Sequence, residues 1–418
     1  MKVLKGLFGP SGDGGKVGVR TPVKTGIEVI SEDGFRLLQG GKVGIIANAT
    51  SVFPDMRHLV DVLFHETTVD LCAIFGPEHG FRGCSQAGSS PGAYTDPATK
   101  LPVFDIHAKK AKDLLNIFLN AGVDIILFDI QDVGARFYTY VWTLYDSMVA
   151  IASCTSRHLR LVVADRPNPL GGSITAGPVL RPELGSFVGR KAIALQHGMT
   201  VGELAILFNS EFVPVDGESG GKRVDLEVVR MVGWKRCHLY GDTGLIWVPP
   251  SPNMPSPTTA LLYPGMGLIE GTNCSEGRGT TLPFEMIGSP WIDRQLVIAM
   301  QQEFADNDGV LFREAVFTPT FSKHAGKMVS GMQVHVANPT TIDPIRIGIT
   351  LLVILRKLYP DRFAWRKDGG KFWIDYLTGS ENIRKAIDDG RSVDEILASW
   401  QEDLLLFCMQ RHNFLLYK

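Results

Sequence analysis

The sequence of 418 residues has few cysteines, no run of basic residues and no long apolar run. Its six cysteines are scattered without a Cys-x-x-Cys pair, which favours free thiols in a reducing compartment. The 42 basic residues are balanced by 44 acidic ones, and this balance argues against non-specific nucleic-acid binding. No apolar stretch approaches the roughly 20 residues that a membrane span needs. A hydrophobic content of 44% is enough for a large core, and the length predicts two domains.

Motifs for metal and cofactor binding are missing as well. The histidines show no HxxxH or HxH spacing, and no set of Cys and His residues has the spacing of a zinc site, so we expect no metal. No predicted strand is followed by GxGxxG. This argues against a nucleotide-dependent enzyme, and we expect no cofactor.

The N-terminal residues 1–25 are predicted to form a flexible tail. The glycine-rich stretch at 9–16 looks like a phosphate loop. However, Pro10 stands where the first glycine of that loop belongs, and Val17 replaces the Ser or Thr that would hold magnesium. Met1–Lys24 has no apolar segment typical of a signal peptide, so we expect a cytoplasmic protein.

Between residues 26 and 250, apolar runs typical of buried strands alternate with helical patterns. Strands are predicted at 43–46, 69–75, 123–128, 159–164 and 225–231, and helices at 55–66, 108–120, 137–154 and 200–209. This alternation predicts an α/β, Rossmann-like domain in which a parallel sheet carries helices on both faces.

The proline-rich stretch 247–255 is interpreted as the domain boundary, because its prolines exclude a helix or a central strand. Beyond it, residues 256–418 predict a smaller α+β domain. Its helices are expected at 258–269, 292–304, 343–358 and 392–411, and its strands at 310–318 and 328–336.

Polar segments directly follow four of the predicted strands. The carboxyl ends of parallel strands lie along one edge of a sheet, where ligands bind, so these segments predict one site. A glycine-spaced loop at 271–281 and a cationic pair near residue 323 add candidates from the second domain. The binding candidates are Asn48, His79, Arg82, Arg136, Asp165, Arg166, Asn168, Asn253, Asn273, Arg278, Lys323 and His324.

Glu78 is the main catalytic candidate from the residues themselves. It lies between Pro77 and His79 in a loop bounded by glycines, at the end of a predicted strand. Shielding by Phe75 and Phe81 is expected to raise its pKa by desolvation, as a general acid requires. The alternative is a carboxylate that only accepts hydrogen bonds from loop amides.

Other charged residues near the strand ends have structural alternatives. Asp132 fits a helix N-cap at least as well as a chemical role. Arg136 follows it by four residues and could pair with it. Asp165 and Arg166 could form an ion pair that holds the following Pro-Asn-Pro turn.

Seven long segments occur in an order that is typical of one family. They are GPEHGFRG, FDIQDVGARFYTY, ADRPNPLGG, HGMTVGELA, WVPPSPNMPS, LIEGTNCSEGRGTTLPFE and FSKHAGK. Over residues 26–418 the chain resembles the NamZ-like exo-β-N-acetylmuramidases. The resemblance implies a glycoside hydrolase that releases N-acetylmuramic acid from the non-reducing ends of peptidoglycan fragments. It also implies an active-site cleft between the two domains and a catalytic glutamate at Glu78.

The expected partner is therefore a carbohydrate, and hydrolysis of its glycosidic bond needs a second reacting group. Asp132, Glu276 and Tyr138 are the candidates for that group. Muramic acid carries a lactyl carboxylate, for which arginine is the natural partner, and the candidates are Arg82, Arg136, Arg166 and Arg278.

The sequence departs from the family in one place. Ala176 stands where relatives usually carry an acid before Gly177-Pro178. A catalytically altered glycan-binding homologue is therefore the alternative function. Many relatives are exported, in contrast to the cytoplasmic location expected here.

Overall fold

The structure, a computed structural model, describes residues 22–418. The glycine-rich stretch 9–16 and most of the predicted tail lie outside the described residues. The last residues of that tail are packed, contrary to the prediction. Val23 is buried and its N–H donates to the Thr243 carbonyl at 2.8 Å, and Lys24 pairs with Val232 in an antiparallel bridge.

A seven-stranded sheet is the centre of the first domain. Its strands are β1 (Val43–Ala47), β2 (Leu71–Gly76), β3 (Tyr94–Thr95), β4 (Pro102–Asp105), β5 (Ile125–Asp129), β6 (Arg160–Ala164) and, after two strands outside the sheet, β9 (Asp225–Val229). The order is β3-β4-β2-β1-β5-β6-β9, and only the edge strand β3 is antiparallel to its neighbour. The five strands predicted from the apolar runs are confirmed, and the pairing is Rossmann-like.

Helices cover both faces of this sheet, as predicted. They are α1 (Gly26–Glu32), α2 (Leu59–Glu66), α3 (Ala111–Ala121), α4 (Tyr140–Ser153) and α5 (Val201–Leu207). Alternate residues of β1 show the two faces: Ile45 packs in the core with α1 and α2, whereas Ile46 packs in the core with α3 and α4. Strands buried on both sides explain the continuous apolar runs of the sequence.

A small hairpin-like pair and the proline-rich stretch complete this half. β7 (Ala176–Val179) and β8 (Ala194–Gln196) are antiparallel. The proline-rich stretch is fixed to α4, because the Tyr140 hydroxyl donates to the Pro250 carbonyl at 2.5 Å.

The second domain combines a small antiparallel sheet with helices. The strands β10 (Met286–Ser289), β11 (Val310–Phe317) and β12 (Val329–Val336) pair in the order β10-β12-β11, and β13 (Lys367–Asp368) pairs with β14 (Lys371–Phe372). The helices are α6 (Pro257–Met266), α7 (Gln295–Glu303), α8 (Pro344–Leu358), α9 (Trp373–Thr378), α10 (Glu381–Asp388), α11 (Val393–Ala398) and α12 (Gln401–His412). The expected last helix is thus two helices, interrupted at Ser399-Trp400.

The two halves share one apolar core. That core contains Phe128 and Trp142 of the first half together with Leu262 and Ile347 of the second. Within residues 22–418, no helix is both long and apolar enough to cross a membrane. The shared core fixes the carboxyl edge of the large sheet against α6 and the loop that follows it.

Candidate active site

A cavity of about 900 Å³ lies between the carboxyl edge of the sheet and the second domain. Residues from both halves line it: Glu78, His79, Gln86, Ala87, Gly88, Phe137, Tyr138, Thr139, Phe187, Val188, Ser251, Met254, Tyr263, Glu270, Thr272, Asn273, Glu276, Arg278, Phe284, Phe321, Ser322, Lys323, His324, Arg366 and Trp373. The loop at 271–281 therefore faces the Glu78 loop across a shared cleft, as the sequence predicts.

Glu78 lies on the sheet side of the cleft with both carboxylate oxygens in hydrogen bonds. Oε1 accepts from the Gly88 N–H at 2.8 Å, and Oε2 accepts from the Thr139 hydroxyl at 2.6 Å. Thr139 is the residue that precedes α4, and Gly88 belongs to the loop that follows Glu78 itself. Glu78 is 9% exposed, and the two hydrogen bonds fix the orientation of its carboxylate.

The pKa of Glu78 is lowered, which is opposite to the sequence-based prediction. Burial raises it, but the Thr139 hydroxyl, the Gly88 N–H and the nearby His79 together outweigh burial. The prediction was wrong because it considered burial alone and left out the two donors, the Thr139 hydroxyl and the Gly88 N–H, that stabilise the charged form. The side chain is therefore ionised at neutral pH.

His79 is the direct neighbour of this carboxylate, and its own pKa is lowered. Burial lowers its pKa, and the charge of Arg278 on the other side of the cleft lowers it further, against the opposing effect of Glu78. Its Nδ1 lies 2.9 Å from the Ser85 carbonyl, which a ring N–H satisfies.

Several cleft residues have a left-handed backbone. His79 (φ 71°), Phe284 (φ 62°), Ser322 (φ 68°) and His324 (φ 58°) all line the cleft, and none of them is glycine. Such conformations cost free energy and persist where surrounding contacts hold them. They mark the loops on both walls as fixed in shape.

The wall from the second domain is a cluster of paired charges. Arg278 contacts Glu270 at 2.7 Å and Glu276 at 3.3 Å, and Lys323 contacts Glu276 at 3.0 Å. Lys323 also donates to the carbonyls of Ile269, Glu270 and Cys274 at 3.0–3.3 Å. The two carboxylates thus neutralise the two cations of the cluster.

Between these walls lie aromatic side chains. The Tyr138 ring is edge-on to Tyr263, with centroids 5.8 Å apart, and Tyr263 contacts Phe137 and Phe284. Burial raises the pKa of Tyr138 well above its usual value, so the phenol keeps its proton. An apolar base with a few polar groups is the usual composition of a ligand site.

Half of the candidates from the sequence line this cleft and half do not. The eight that do are Glu78, His79, Tyr138, Asn273, Glu276, Arg278, Lys323 and His324. The eight that lie outside it are Asn48, Arg82, Asp132, Arg136, Asp165, Arg166, Asn168 and Asn253.

Three of the four arginines proposed for a substrate carboxylate lie outside the cleft. Arg82 pairs with Asp61 and Asp96, both at 3.1 Å. Arg136 is fully buried and donates to the carbonyls of Pro178, Ile193 and Leu377 at 2.7–3.0 Å. The expected Asp132–Arg136 pair is therefore wrong, since Arg136 points into the shared core instead.

The expected Asp165–Arg166 ion pair is also wrong. The Arg166 side chain pairs with Asp129, with its Nε 2.5 Å from Oδ1. Asp165 accepts instead from the hydroxyls of Thr200 and Tyr417 at 2.7 and 2.6 Å. Both aspartates are fully buried, so these contacts organise the sheet edge beside the cleft.

The remaining candidates outside the cleft have structural partners. Asp132 is not the N-cap of α4, which begins eight residues later; it accepts from the Gly134 N–H at 2.8 Å. The amides of Asn48, Asn168 and Asn253 donate to the Pro250 carbonyl, the Met199 carbonyl and Gln86, respectively.

Some cleft residues were not found from the sequence. Thr139 stands inside the FDIQDVGARFYTY segment, but its role depends on Glu78, which is 61 residues away. Glu270 directly precedes the glycine-spaced loop, and this position in the sequence could have identified it as a candidate. Phe187, Arg366 and Trp373 carry no local motif, and only the fold brings them to the cleft.

Comparisons with known proteins agree with this architecture. The family models described as "Exo-beta-N-acetylmuramidase NamZ, N-terminal" and "C-terminal" match residues 43–258 and 261–417. The domain limits from the sequence, 26–250 and 256–418, stay a prediction. The "Peptidoglycan beta-N-acetylmuramidase NamZ" of Bacillus subtilis (strain 168) is 42% identical over 395 residues, which cover 94% of this chain and 91% of that protein.

Two crystal structures from Bacteroides fragilis NCTC 9343, both described as DUF1343 family proteins, have the same fold. One is 32% identical with a TM-score of 0.84, and the other is 30% identical with a TM-score of 0.72. Each similarity covers 95% of this chain and 99% of the solved chain. The chain belongs to the NamZ family of exo-β-N-acetylmuramidases.

Proposed function

We propose that this protein is a glycosidase that releases terminal N-acetylmuramic acid from the non-reducing end of peptidoglycan-derived glycans. The printed activity of the Bacillus subtilis relative supports the substrate class. The main support for the proposal is the shared cleft between the two family domains. The fixed carboxylate of Glu78 lies on one wall of this cleft, and Glu276 lies on the other.

Glu78 acts in this proposal as an ionised carboxylate. Its lowered pKa disfavours the proton-donor role that a raised pKa would have suited. An anionic carboxylate can stabilise the positive charge that develops at the anomeric carbon, or accept a proton from the attacking water. The hydrogen bonds from Thr139 and Gly88 hold it in one position for either task.

Glu276 is the proposed second carboxylate, because it lines the cleft whereas Asp132 does not. Arg278 and Lys323 fix its position. Tyr138 also lines the cleft, and as a protonated phenol it suits a hydrogen bond to the substrate.

The test is release of N-acetylmuramic acid from a disaccharide that carries this sugar at its non-reducing end. Glu78→Gln is expected to lower kcat by about 10²-fold or more, because the amide keeps the shape and loses the charge. Glu285→Gln is the matched control. Glu285 is 7% exposed and accepts from the Thr259 hydroxyl at 2.6 Å, but it does not line the cleft.

Equal activities of the wild type and Glu78→Gln would remove Glu78 from the mechanism. A glycan-binding homologue without turnover would instead give affinity for the disaccharide and no product. The departure at Ala176 does not favour that alternative, because Ala176 begins β7, pairs with Gln196 and lies outside the cleft lining.

A further inference from the structure

Of the residues that the structure describes, three permanently cationic ones line the cleft, and two of these are already neutralised. Arg278 pairs with Glu270 and Glu276, and Lys323 pairs with Glu276 and donates to three carbonyls. A substrate anion bound to either cation would lie beside the carboxylates that already neutralise it, and their repulsion opposes such binding. This repulsion argues against Arg278, the one of the four candidate arginines that lines the cleft, as the residue that recognises a carboxylate.

Arg366 is the third cation, and its situation differs. It is exposed and lines the cleft, and no ion pair or side-chain hydrogen bond to it is found among residues 22–418. Its backbone is fixed on both sides, because its N–H donates to the Gly271 carbonyl at 2.8 Å and its carbonyl accepts from the Trp373 N–H at 2.9 Å. The guanidinium is therefore positioned and unneutralised.

An aromatic pair formed by both domains lies beside this arginine. Its guanidinium carbon lies 5.1 Å from the centroid of the Trp373 ring, and Trp373 packs against Phe187 with centroids 5.7 Å apart. Phe187 comes from the first domain and is 50% exposed. The cation–π contact with Trp373 favours a position of the guanidinium over the ring, and the apolar rings nearby suit the apolar parts of a sugar and its substituent.

We infer that Arg366, supported by Trp373 and Phe187, binds the carboxylate carried by the 3-O substituent of the terminal sugar of the substrate. This inference rests on the proposed function, since that substituent is what distinguishes muramic acid from glucosamine. The carboxylate is that of the lactyl group itself or, when a peptide is attached, that of the peptide. Arg366 thereby determines specificity between the two sugars.

The expected effect is about tenfold in affinity. A charge-assisted hydrogen bond to arginine contributes about 1.5–3 kcal/mol, and solvent screening at an exposed position leaves the lower part of this range. At about 1.4 kcal/mol per factor of ten, this corresponds to one order of magnitude. The attraction also weakens as salt rises.

The experiment compares the wild type, Arg366→Met and the control Lys367→Met. Lys367 directly follows Arg366 and begins β13; it is exposed, lies over Phe372 and does not line the cleft. Calorimetry measures binding of N-acetylmuramic acid and of N-acetylglucosamine at low and high salt. Arg366→Met should lose about tenfold in affinity for N-acetylmuramic acid, together with its salt dependence, and should bind N-acetylglucosamine as the wild type does.

Two further probes distinguish the sources of the carboxylate. N-acetylmuramic acid with its lactyl group converted to a methylamide has no carboxylate, whereas N-acetylmuramoyl-L-alanine carries it one residue further on. We expect Arg366→Met to bind the methylamide as the wild type does. If Arg366→Met loses affinity for the free acid alone, Arg366 binds only the lactyl carboxylate. If it loses affinity for N-acetylmuramoyl-L-alanine as well, Arg366 also binds the carboxylate of an attached peptide.

Equal affinities of wild type and Arg366→Met for N-acetylmuramic acid, or equal losses on both sugars, would overturn the inference. A wild type that binds N-acetylmuramic acid through Arg366 but releases no sugar would contradict the proposed glycosidase and leave the carboxylate site intact. The binding measurement does not depend on turnover, so the two failures are distinguishable.

Discussion

At the scale of single residues, the state of Glu78 depends on one hydroxyl from another part of the chain. Burial alone would favour the protonated acid, and the Thr139 hydroxyl is the largest of the contributions that reverse this tendency. A carboxylate held by donors suits reaction steps that need a negative charge at neutral pH. The hydrogen bond from Thr139 is therefore part of the chemistry as well as of the packing.

Replacing Thr139 by Val should raise the pKa of Glu78, because the hydroxyl donor is lost while the burial remains. The activity of an ionised Glu78 falls as the pH drops through this pKa. The acidic limb of the kcat/KM profile should therefore move to higher pH in Thr139→Val. The measurement is the pH dependence of sugar release.

Thr143→Val is the control for this change. Thr143 lies one helical turn further along α4, and its hydroxyl donates only to the Thr139 carbonyl at 3.4 Å. The acidic limb of the kcat/KM profile of Thr143→Val should coincide with that of the wild type. An unshifted limb in Thr139→Val would mean that Glu78 is not the group whose titration limits activity.

At the scale of elements, the loop at 271–281 keeps its shape through glycines with positive φ. Gly277 and Gly279 both have φ near 80°. A Cβ on Gly279 would lie 2.6 Å from the Phe321 nitrogen and 2.8 Å from the Phe321 carbonyl oxygen. The chain folds closely around this position, next to the segment that carries Ser322, Lys323 and His324.

Gly279→Ala should lower both stability and activity. The left-handed backbone alone costs about 1–2 kcal/mol for an alanine, and the overlap with the Phe321 backbone adds to this cost. Urea unfolding and kcat/KM are the measurements. Displacement of the loop should also move Arg278, and with it Glu276.

Gly326→Ala isolates the cost of the backbone conformation. Gly326 has φ 72°, and a Cβ there would meet no atom within 4 Å. Its free energy of unfolding should fall by about 1 kcal/mol, with activity retained. Equal losses in the two variants would contradict the role of the close contact at Gly279.

At the scale of the whole molecule, the C-terminal tail returns to the first domain. The Tyr417 hydroxyl donates to Asp165 at 2.6 Å, the Leu416 N–H donates to Glu203 at 2.8 Å, and the Arg236 N–H donates to the Lys418 carbonyl at 3.1 Å. The tail thus closes the structure around the buried Asp165, beside the sheet edge that forms the cleft.

Asp165→Asn should change how stability depends on pH. Burial raises the pKa of Asp165 from 3.8 to about 6, against the hydrogen bonds from Tyr417, Thr200 and Gly202. As the pH falls, Asp165 therefore takes up a proton at a higher pH in the folded protein than in the unfolded chain. This contribution to stability increases as the pH falls from about 6 towards 4, and it is absent above that window.

The expected size follows from this linkage. Between pH 7 and pH 5, the wild type should gain about 1 kcal/mol of unfolding free energy relative to Asp165→Asn. Urea unfolding of both proteins at the two pH values measures this difference in unfolding free energy. The contributions of the other titrating groups are nearly the same in both proteins and largely cancel. A constant difference between the two proteins would show that Asp165 does not titrate in this range.

The sequence by itself determined five of the seven strands of the large sheet and the edge of that sheet at which the cleft lies. Buried parallel strands need apolar runs, and helix starts need capping residues, so local spacing was sufficient for β1, β5 and β6. It was also sufficient for the helices that begin after Thr200 and Asp343. Because parallel strands end at one edge of a sheet, the position of Glu78 after a strand was enough to predict that it lies at that edge. The family motifs then predicted that the loop at 271–281 lies opposite.

Only the tertiary structure decided which charges are paired and which are free. Arg136 donates to carbonyls up to 241 residues away, and Arg166 pairs with Asp129 rather than with its neighbour. Ion pairing and desolvation depend on atoms within a few ångströms, whatever their distance along the chain. For this reason the pKa of Glu78 became visible only once Thr139 and Gly88 lay beside it, and the position of Arg366 in the cleft only once the two domains were in contact.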